Sequence, residues 1–337
     1  MSKKNIPKVR VSICTPTFNR RPFFKGIIQS VLSQKYPTEL MEWIIVDDGT
    51  DKIEDLVSNI PFVKYFKLTE KMPLGKKRNY MHEMCTFKND NDIIVYMDDD
   101  DYYPPNRVSH AVERLVNSKA LCAGSSELYI WFNTLNKMYK FGPYGPNHST
   151  AGTFAFKRNL LKDTHYEDSA VLAEEKYFLK NYTVPFVQLD PLSTILVFSH
   201  EQNTFDKRKL INPDNKMCVE SNLKVKNFIK NIEMQKFYMD DLELLLQNYE
   251  PGDIKYKQDV LKEIERRDAE RNNQNPQFNI KNKDGTNTII PASEIINILK
   301  LKTEEVAGLR NEIEVKNSQL KRLLTTIKEK NLQSFFI

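Results

Sequence analysis

Hydrophobic and polar positions follow two periods along the first part of the chain. Short apolar runs predict strands at residues 9–14, 43–46, 63–68 and 92–97. Amphipathic stretches between and after them predict helices at 22–34, 52–58, 75–87 and 104–117, two of which carry proline in the opening turn. Strands and helices in this alternation predict an α/β domain, a Rossmann-like, mainly parallel sheet flanked by helices, over residues 1–210. Two more strands are expected near Leu128 to Phe132 and Met138 to Phe141. The Gly- and Pro-rich run that follows, Gly142-Pro143-Tyr144-Gly145-Pro146-Asn147, reads as a loop able to line a substrate cleft.

Past residue 210 the composition shifts toward Lys, Asn, Glu and Gln. Helical stretches at 219–247 and 253–271 predict a helical C-terminal extension over 211–271, and the Asn- and Gln-rich run at 272–292, with Pro276 and Gly285, predicts an irregular polar linker. In 293–331, Leu299, Val306, Ile313, Leu320 and Ile327 recur seven residues apart. Ile295, Leu309 and Leu323 supply part of a second seam that Lys302 and Lys316 interrupt. The pattern fits an amphipathic helix packed on its own domain or a coiled-coil tail; the second is favoured and predicts a homo-oligomer.

Composition narrows the functional classes. The 337 residues, 40% hydrophobic, suffice for a sizeable core, and a net charge of +5 is far below what a dedicated nucleic-acid binder needs. The four cysteines form no CxxC pair, which disfavours a zinc knuckle or a disulfide framework. No apolar stretch reaches the roughly 18 residues of a membrane span. A cytoplasmic protein without a membrane span is expected.

Four segments carry candidate chemistry. Asp98-Asp99-Asp100-Asp101 directly follows an apolar strand, and such a run repels itself unless a cation offsets it. Asp98 and Asp100 can reach one Mn²⁺ or Mg²⁺, which would hold a diphosphate; the alternative is a solvated acidic turn. Thr15-Pro16-Thr17-Phe18-Asn19-Arg20 ends the first strand at the sheet edge where open α/β folds bind nucleotides, or merely caps the next helix. Asp47-Asp48-Gly49-Thr50 ends the second strand; its carboxylates can accept from a base or a ribose, or form an Asx turn. Gly75-Lys76-Lys77-Arg78-Asn79 opens a helix with three cations, suited to a diphosphate or to a solvated face.

Taken in order, these four segments resemble the nucleotide-binding half of family 2 glycosyltransferases, over about residues 9–107. The resemblance implies the GT-A fold, a nucleotide-sugar donor with UDP as the usual nucleotide, an acceptor that is a glycan or another hydroxyl-bearing molecule, and inversion at the anomeric carbon. It implies that Asp47 or Asp48 contacts the base with Arg78 in support, and that Asp98 and Asp100 are the metal-binding Asp-x-Asp. Thr15, Pro16, Thr17, Asn19, Arg20, Gly75, Lys77 and Asp99 are further candidate donor contacts. The family's Glu-Asp segment is matched by Glu174-Glu175, where Glu175 stands in the usual place of aspartate. Glu175 is then the preferred general base and Glu174 the alternative, with Glu167-Asp168 ranked below both. By the same resemblance His200 completes the metal shell. His148 is expected to be an exposed loop residue rather than a ligand. The expectation is a metal-dependent, hexosyltransferase-type enzyme; the alternatives are a sugar nucleotidyltransferase and an inactive scaffold carried by the C-terminal helix.

Overall fold

The computed structural model describes residues 8–203, 206–211, 215–274, 277–282 and 285–333. Parts of the expected 1–210 domain, 211–271 extension and 272–292 linker lie outside the described residues. The chain divides into two compact units, Met1–Glu263 and Ile264–Ile337.

The first unit is built on β1 (Val11–Thr17), β2 (Met41–Asp47), β3 (Val63–Lys67) and β4 (Ile93–Tyr96), all parallel. Interleaved with them are α1 (Phe24–Leu32), α2 (Glu54–Val57) and α3 (Leu74–Met84), and α4 (Arg107–Val116) follows. Three short strands, β5 (Cys122–Gly124), β8 (Ala155–Lys157) and β9 (Phe186–Gln188), complete a seven-stranded sheet in the order β3-β2-β1-β4-β8-β5-β9. Only β8 runs against its neighbours. A second, four-stranded sheet joins β10 (Val197–Ser199), β6 (Leu128–Phe132), β7 (Lys137–Phe141) and β11 (Cys218–Ser221), in that order.

Every residue of β2 and β4 is buried, as expected of parallel strands covered on both faces. Side chains alternate between two cores. Val11, Ile13, Trp43, Ile45, Ile93 and Val95 pack with Phe24, Ile27 and Val31 of α1 and with Val108, Val112 and Leu115 of α4. Ile44, Val46, Ile94 and Tyr96 face the other way, toward Met81 and Cys85 at α3 and Phe178 of α5 (Glu175–Phe178). The sheet is thus clamped from both sides, and its carboxyl edge is left for the site.

Where one long helical region was expected at 219–247, β11 pairs with β7 instead. After it come α6 (Val225–Phe228), α7 (Ile232–Lys236), a π-helical turn at Phe237–Asp241 and α8 (Leu242–Gln247). Their Val225, Phe228, Met234, Phe237, Tyr238 and Leu242 pack with Phe23, Trp131, Met138 and Phe198, so this extension shares a core with the preceding residues. Gly26 of α1 marks the closest approach: a Cβ there would lie 2.4 Å from the Tyr238 hydroxyl.

The unit boundary falls inside α9 (Gln258–Gln274). In the second unit the run read as irregular contains an antiparallel hairpin, β12 (Gln277–Lys281) with β13 (Asn287–Pro291). Phe278 and Ile280 alternate with polar residues, a strand period that the Asn and Gln content obscured, and Gly285 at φ 85° turns the chain. The helix α10 (Ala292–Gln333) follows, 42 residues long or about 60 Å. Its heptad residues Leu299, Val306, Leu309, Ile313, Leu320, Leu323 and Ile327 are all exposed. No described helix is long and apolar enough to cross a membrane.

Candidate functional site

Because β1, β2 and β4 are parallel, their C-terminal ends deliver Thr15 to Thr17, Asp47-Asp48 and the aspartate run to one edge of the sheet. A cleft lies there, lined by Pro16, Thr17, Arg20, Lys77, Arg78 and Asp98 to Asp100, by Glu174 from the segment before α5, and by Lys257 and Asp259. Phe18, Lys71, Met72 and Leu172 also face it.

The aspartates divide their tasks. Asp98 meets Arg78 at 3.3 and 3.5 Å, and its backbone N–H donates to the Tyr103 hydroxyl at 2.7 Å. Burial raises its carboxyl above the usual range, Arg78 opposing and Asp100 adding to the shift. Asp99 is pushed up to about 7 by burial, with the Arg20 charge opposing and Asp100 reinforcing. Burial acts on Asp100 too, but the His200 hydrogen bond and the Arg20 guanidinium outweigh it and hold that carboxyl well below its ordinary value. Asp101 turns inward: it accepts from the Phe198 N–H at 3.4 Å, and its carbonyl accepts from the Tyr238 hydroxyl at 3.0 Å.

Arg78 is the hinge of the site. It is 2% exposed, donates through Nε to Glu174 Oε1 at 2.8 Å, and lies over the Tyr96 ring at 4.5 Å. One guanidinium therefore positions both the Asp98 and the Glu174 carboxylates, a geometry its planar fork suits. Lys77 pairs closely with Asp48 and donates to the Thr17 carbonyl at 3.1 Å. Arg20 stands 3.9 Å from Asp99 and 3.7 Å from Asp100, and its buried Nη1 has no hydrogen-bond partner.

Several residues expected to touch the donor make bonds that brace the site. Thr15 is fully buried; its hydroxyl donates to the Met97 carbonyl at 2.6 Å and accepts from Trp43 Nε1 at 2.9 Å. Asp47 accepts from the Gly49 N–H, the Ile53 N–H and the Tyr65 hydroxyl, which makes it a turn-former. Asp48 accepts from the Met72 N–H at 2.7 Å as well as pairing with Lys77. Asn19, in the left-handed region at φ 53°, accepts the Thr50 and Asp51 N–H groups and fixes the turn after β2. Gly75 serves packing: a Cβ there would lie 2.0 Å from the Glu167 carbonyl oxygen.

The expected metal shell is only partly assembled. Asp98 and Asp100 line the cleft, whereas His200 reaches Asp100 at 3.3 Å from behind and borders a separate cavity with Phe198 and Leu242. Burial lowers His200 to about 3, so it is neutral. Among the described residues no three His, Cys, Asp or Glu side chains form a metal-holding group. Glu175 opens α5 half-buried and outside this lining; Glu174 is the member of the pair that faces the cleft. His148 lies between the rings of Tyr144 and Tyr182, at 4.9 and 4.7 Å, rather than being a fully exposed loop residue.

Sequence reasoning missed Lys71, Lys257 and Asp259. Nothing local marks them, since they reach the cleft from a loop and from a segment more than 150 residues past the aspartates. Burial, with Arg20 beside it, lowers Lys257 to about 7.

The sequence model of glycosyl transferase family 2 matches residues 12–173. The match covers a little under half of the chain. The matched segment contains every cleft residue named above except Glu174, Lys257 and Asp259. Among solved structures, S. aureus TarS is similar with 17% identity and a TM-score of 0.45, over 57% of this chain and 37% of that one. The mannosyltransferase PcManGT from Pyrobaculum calidifontis, in complex with GDP-Man and Mn²⁺, shows 15% identity and a TM-score of 0.44, over 56% of each chain. TarS 1-349 in complex with UDP-GlcNAc shows 18% identity and a TM-score of 0.43, over 57% of this chain and 59% of that one. The chain therefore spans less than two thirds of each of these structures. No curated protein matches.

Proposed function

We propose that the chain is a family 2 glycosyltransferase that transfers a sugar from a nucleoside-diphosphate donor to an acceptor hydroxyl with inversion. One observation carries this reading: the Asp98 to Asp100 carboxylates, the cations Arg20, Lys77 and Arg78, and Glu174 line a single cleft at the carboxyl edge of the parallel strands. Opposite charges held in one buried cleft suit a ligand that carries its own anions and a counter-cation.

Asp98 and Asp100 would hold Mn²⁺ or Mg²⁺: both face the cleft, and burial, with repulsion from Asp100 adding to it, raises Asp98, a cost that a hard cation relieves. When bound, that cation neutralises diphosphate charge. Arg20 and Lys77 are placed to face the phosphates. Glu174, oriented by Arg78, is the carboxylate positioned to take the proton of the attacking hydroxyl, and it replaces Glu175 in that role. His200 fixes Asp100 from behind and is not itself required as a ligand.

A thermal-shift panel of nucleotide sugars, UDP-GlcNAc and GDP-mannose included, with and without Mn²⁺, tests the reading. A ligand that binds only the folded state at about 100 times its Kd adds roughly 2.7 kcal/mol of apparent stability. At least one nucleotide sugar is expected to raise the melting temperature and its parent nucleoside far less. A flat panel would sink the donor assignment.

The exposed heptad face of α10 fits a second copy of the same helix, so the chain is proposed to be a homo-oligomer through a coiled coil. Light scattering should give a multiple of 39.5 kDa for the full chain and the monomer mass once residues 293–337 are removed. A full-length monomer refutes it.

A further inference from the structure

Residues 249–260 lie beyond the segment matched by the family, yet they are tied down by bonds to four separate segments of the fold. The Tyr249 hydroxyl donates to Asp51 Oδ2 at 2.8 Å, and Gln202 Nε2 donates to the Tyr249 carbonyl at 2.6 Å. Asn19 Nδ2 donates to the Pro251 carbonyl at 2.9 Å, and Lys71 forms a close ion pair with Asp259. Gly252 is packed closely: a Cβ there would lie 2.0 Å from Gln202 Oε1, which would have to shift, and 3.1 Å from the Asn19 carbonyl oxygen. Asn19 and Asp51 belong to the turns that frame the nucleotide edge, so this strap is anchored to the donor-binding loops themselves.

What the strap delivers is Lys257, 5% exposed and lining the cleft with Arg20 and Asp98 to Asp100. Two buried cations in one cleft repel each other, and the Arg20 guanidinium is costly to desolvate unless an anion joins it. The carboxylates on hand serve incompletely: Arg20 stands beyond hydrogen-bond range of both Asp99 and Asp100, and its Nη1 is buried without a partner. Guanidinium and ammonium together form the donor set that phosphate oxygens favour, one a fixed fork and the other a mobile point charge.

We propose that Lys257 binds the diphosphate of the donor together with Arg20, and that the strap 249–260 completes a donor site which the family 2 segment alone leaves open. The inference rests on the nucleoside-diphosphate reading given above. It adds a binding residue from outside the matched segment and makes the C-terminal extension part of the enzyme's substrate machinery. A lysine that merely offset Asp99 and Asp100 would affect folding, or all ligands alike.

Lys257→Met and Lys257→Arg in the full chain separate these cases. Isothermal titration with UDP and GDP in Mg²⁺, and NMR titration with uridine and guanosine, report affinity with and without the diphosphate. For whichever nucleotide the wild type binds, Lys257→Met should weaken the diphosphate by about 10–100-fold, the scale of one charge-assisted hydrogen bond. The nucleoside should change less than about threefold, and Lys257→Arg should keep most of the diphosphate affinity. Unchanged diphosphate affinity in Lys257→Met, or an equal loss for nucleoside and diphosphate, would overturn the role of Lys257 while leaving the donor site in place. Absence of nucleoside-diphosphate binding by the wild type would overturn both readings.

Discussion

Asp98→Asn and Asp100→Asn should each lower sugar transfer by roughly 10²–10³-fold, the scale of losing one preorganised charge that stabilises a leaving group. The two should part company in stability. Asp98 sits where burial already disfavours its charge, so Asp98→Asn should leave the melting temperature unchanged or raise it. Asp100 is held ionised by His200 and Arg20, and its neutralisation should cost stability. The linkage has a definite sign. A carboxyl lowered by folding contributes stability above its unfolded value near 4 and loses it as pH falls toward the folded value. The Asp100 contribution should therefore be intact at neutral pH and fade only in acid. Initial rates of nucleoside-diphosphate release, paired with thermal unfolding at pH 7, check both statements. Wild-type rates in Asp100→Asn would remove it from the site.

Arg78→Met should destabilise the fold by about 3–5 kcal/mol, because it strands two buried carboxylates at once. Arg78 and Glu174 are nearly inaccessible, and Asp98 has only Arg78 as a cationic partner among the described ion pairs. The methionine fills much of the volume over the Tyr96 ring, so the loss reports charge more than a cavity. Two checks isolate the cause. Arg78→Lys should rescue poorly, since an ammonium cannot serve Glu174 and Asp98 in the guanidinium's fork geometry. In the double variant Arg78→Met with Glu174→Gln, part of the loss should return, because one stranded charge is gone. Urea unfolding with unchanged m-values would measure these differences. A loss below about 1 kcal/mol for Arg78→Met would mean that its carboxylates find other partners.

How legible the molecule was in its sequence depends on element length and on reach. β1, β2 and β4 have four to seven residues and each holds a recognisable apolar run, so the sequence located them within a few residues. β5, β8 and β9 have three residues each, too few to display a period, and β11 was read as helix because its Lys- and Glu-rich neighbours resemble one. The acidic run and the basic helix start were visible because each is a local string that breaks a hydrophobic pattern. Roles within the strings were less visible. Whether Asp47 faces a base or accepts from Tyr65 depends on a side chain from another strand, and Gly75 owes its identity to a carbonyl at Glu167. Glu174 and Glu175 are adjacent and alike, and only the chain's path into α5, through Ala173 at φ 52°, decides which faces the cleft. Lys257 was beyond reach for the same reason: its meaning comes entirely from tethers to Asn19, Asp51 and Gln202.

The most direct measurement is release of nucleoside diphosphate from a nucleotide sugar by the purified full chain in Mn²⁺ or Mg²⁺. Turnover of at least one donor is expected, suppressed by chelation, by Asp100→Asn and by Glu174→Gln. A chain that binds nucleotide sugars but releases no nucleoside diphosphate from any of them, with either metal and with glycan acceptors supplied, would contradict it and leave a binding scaffold in its place.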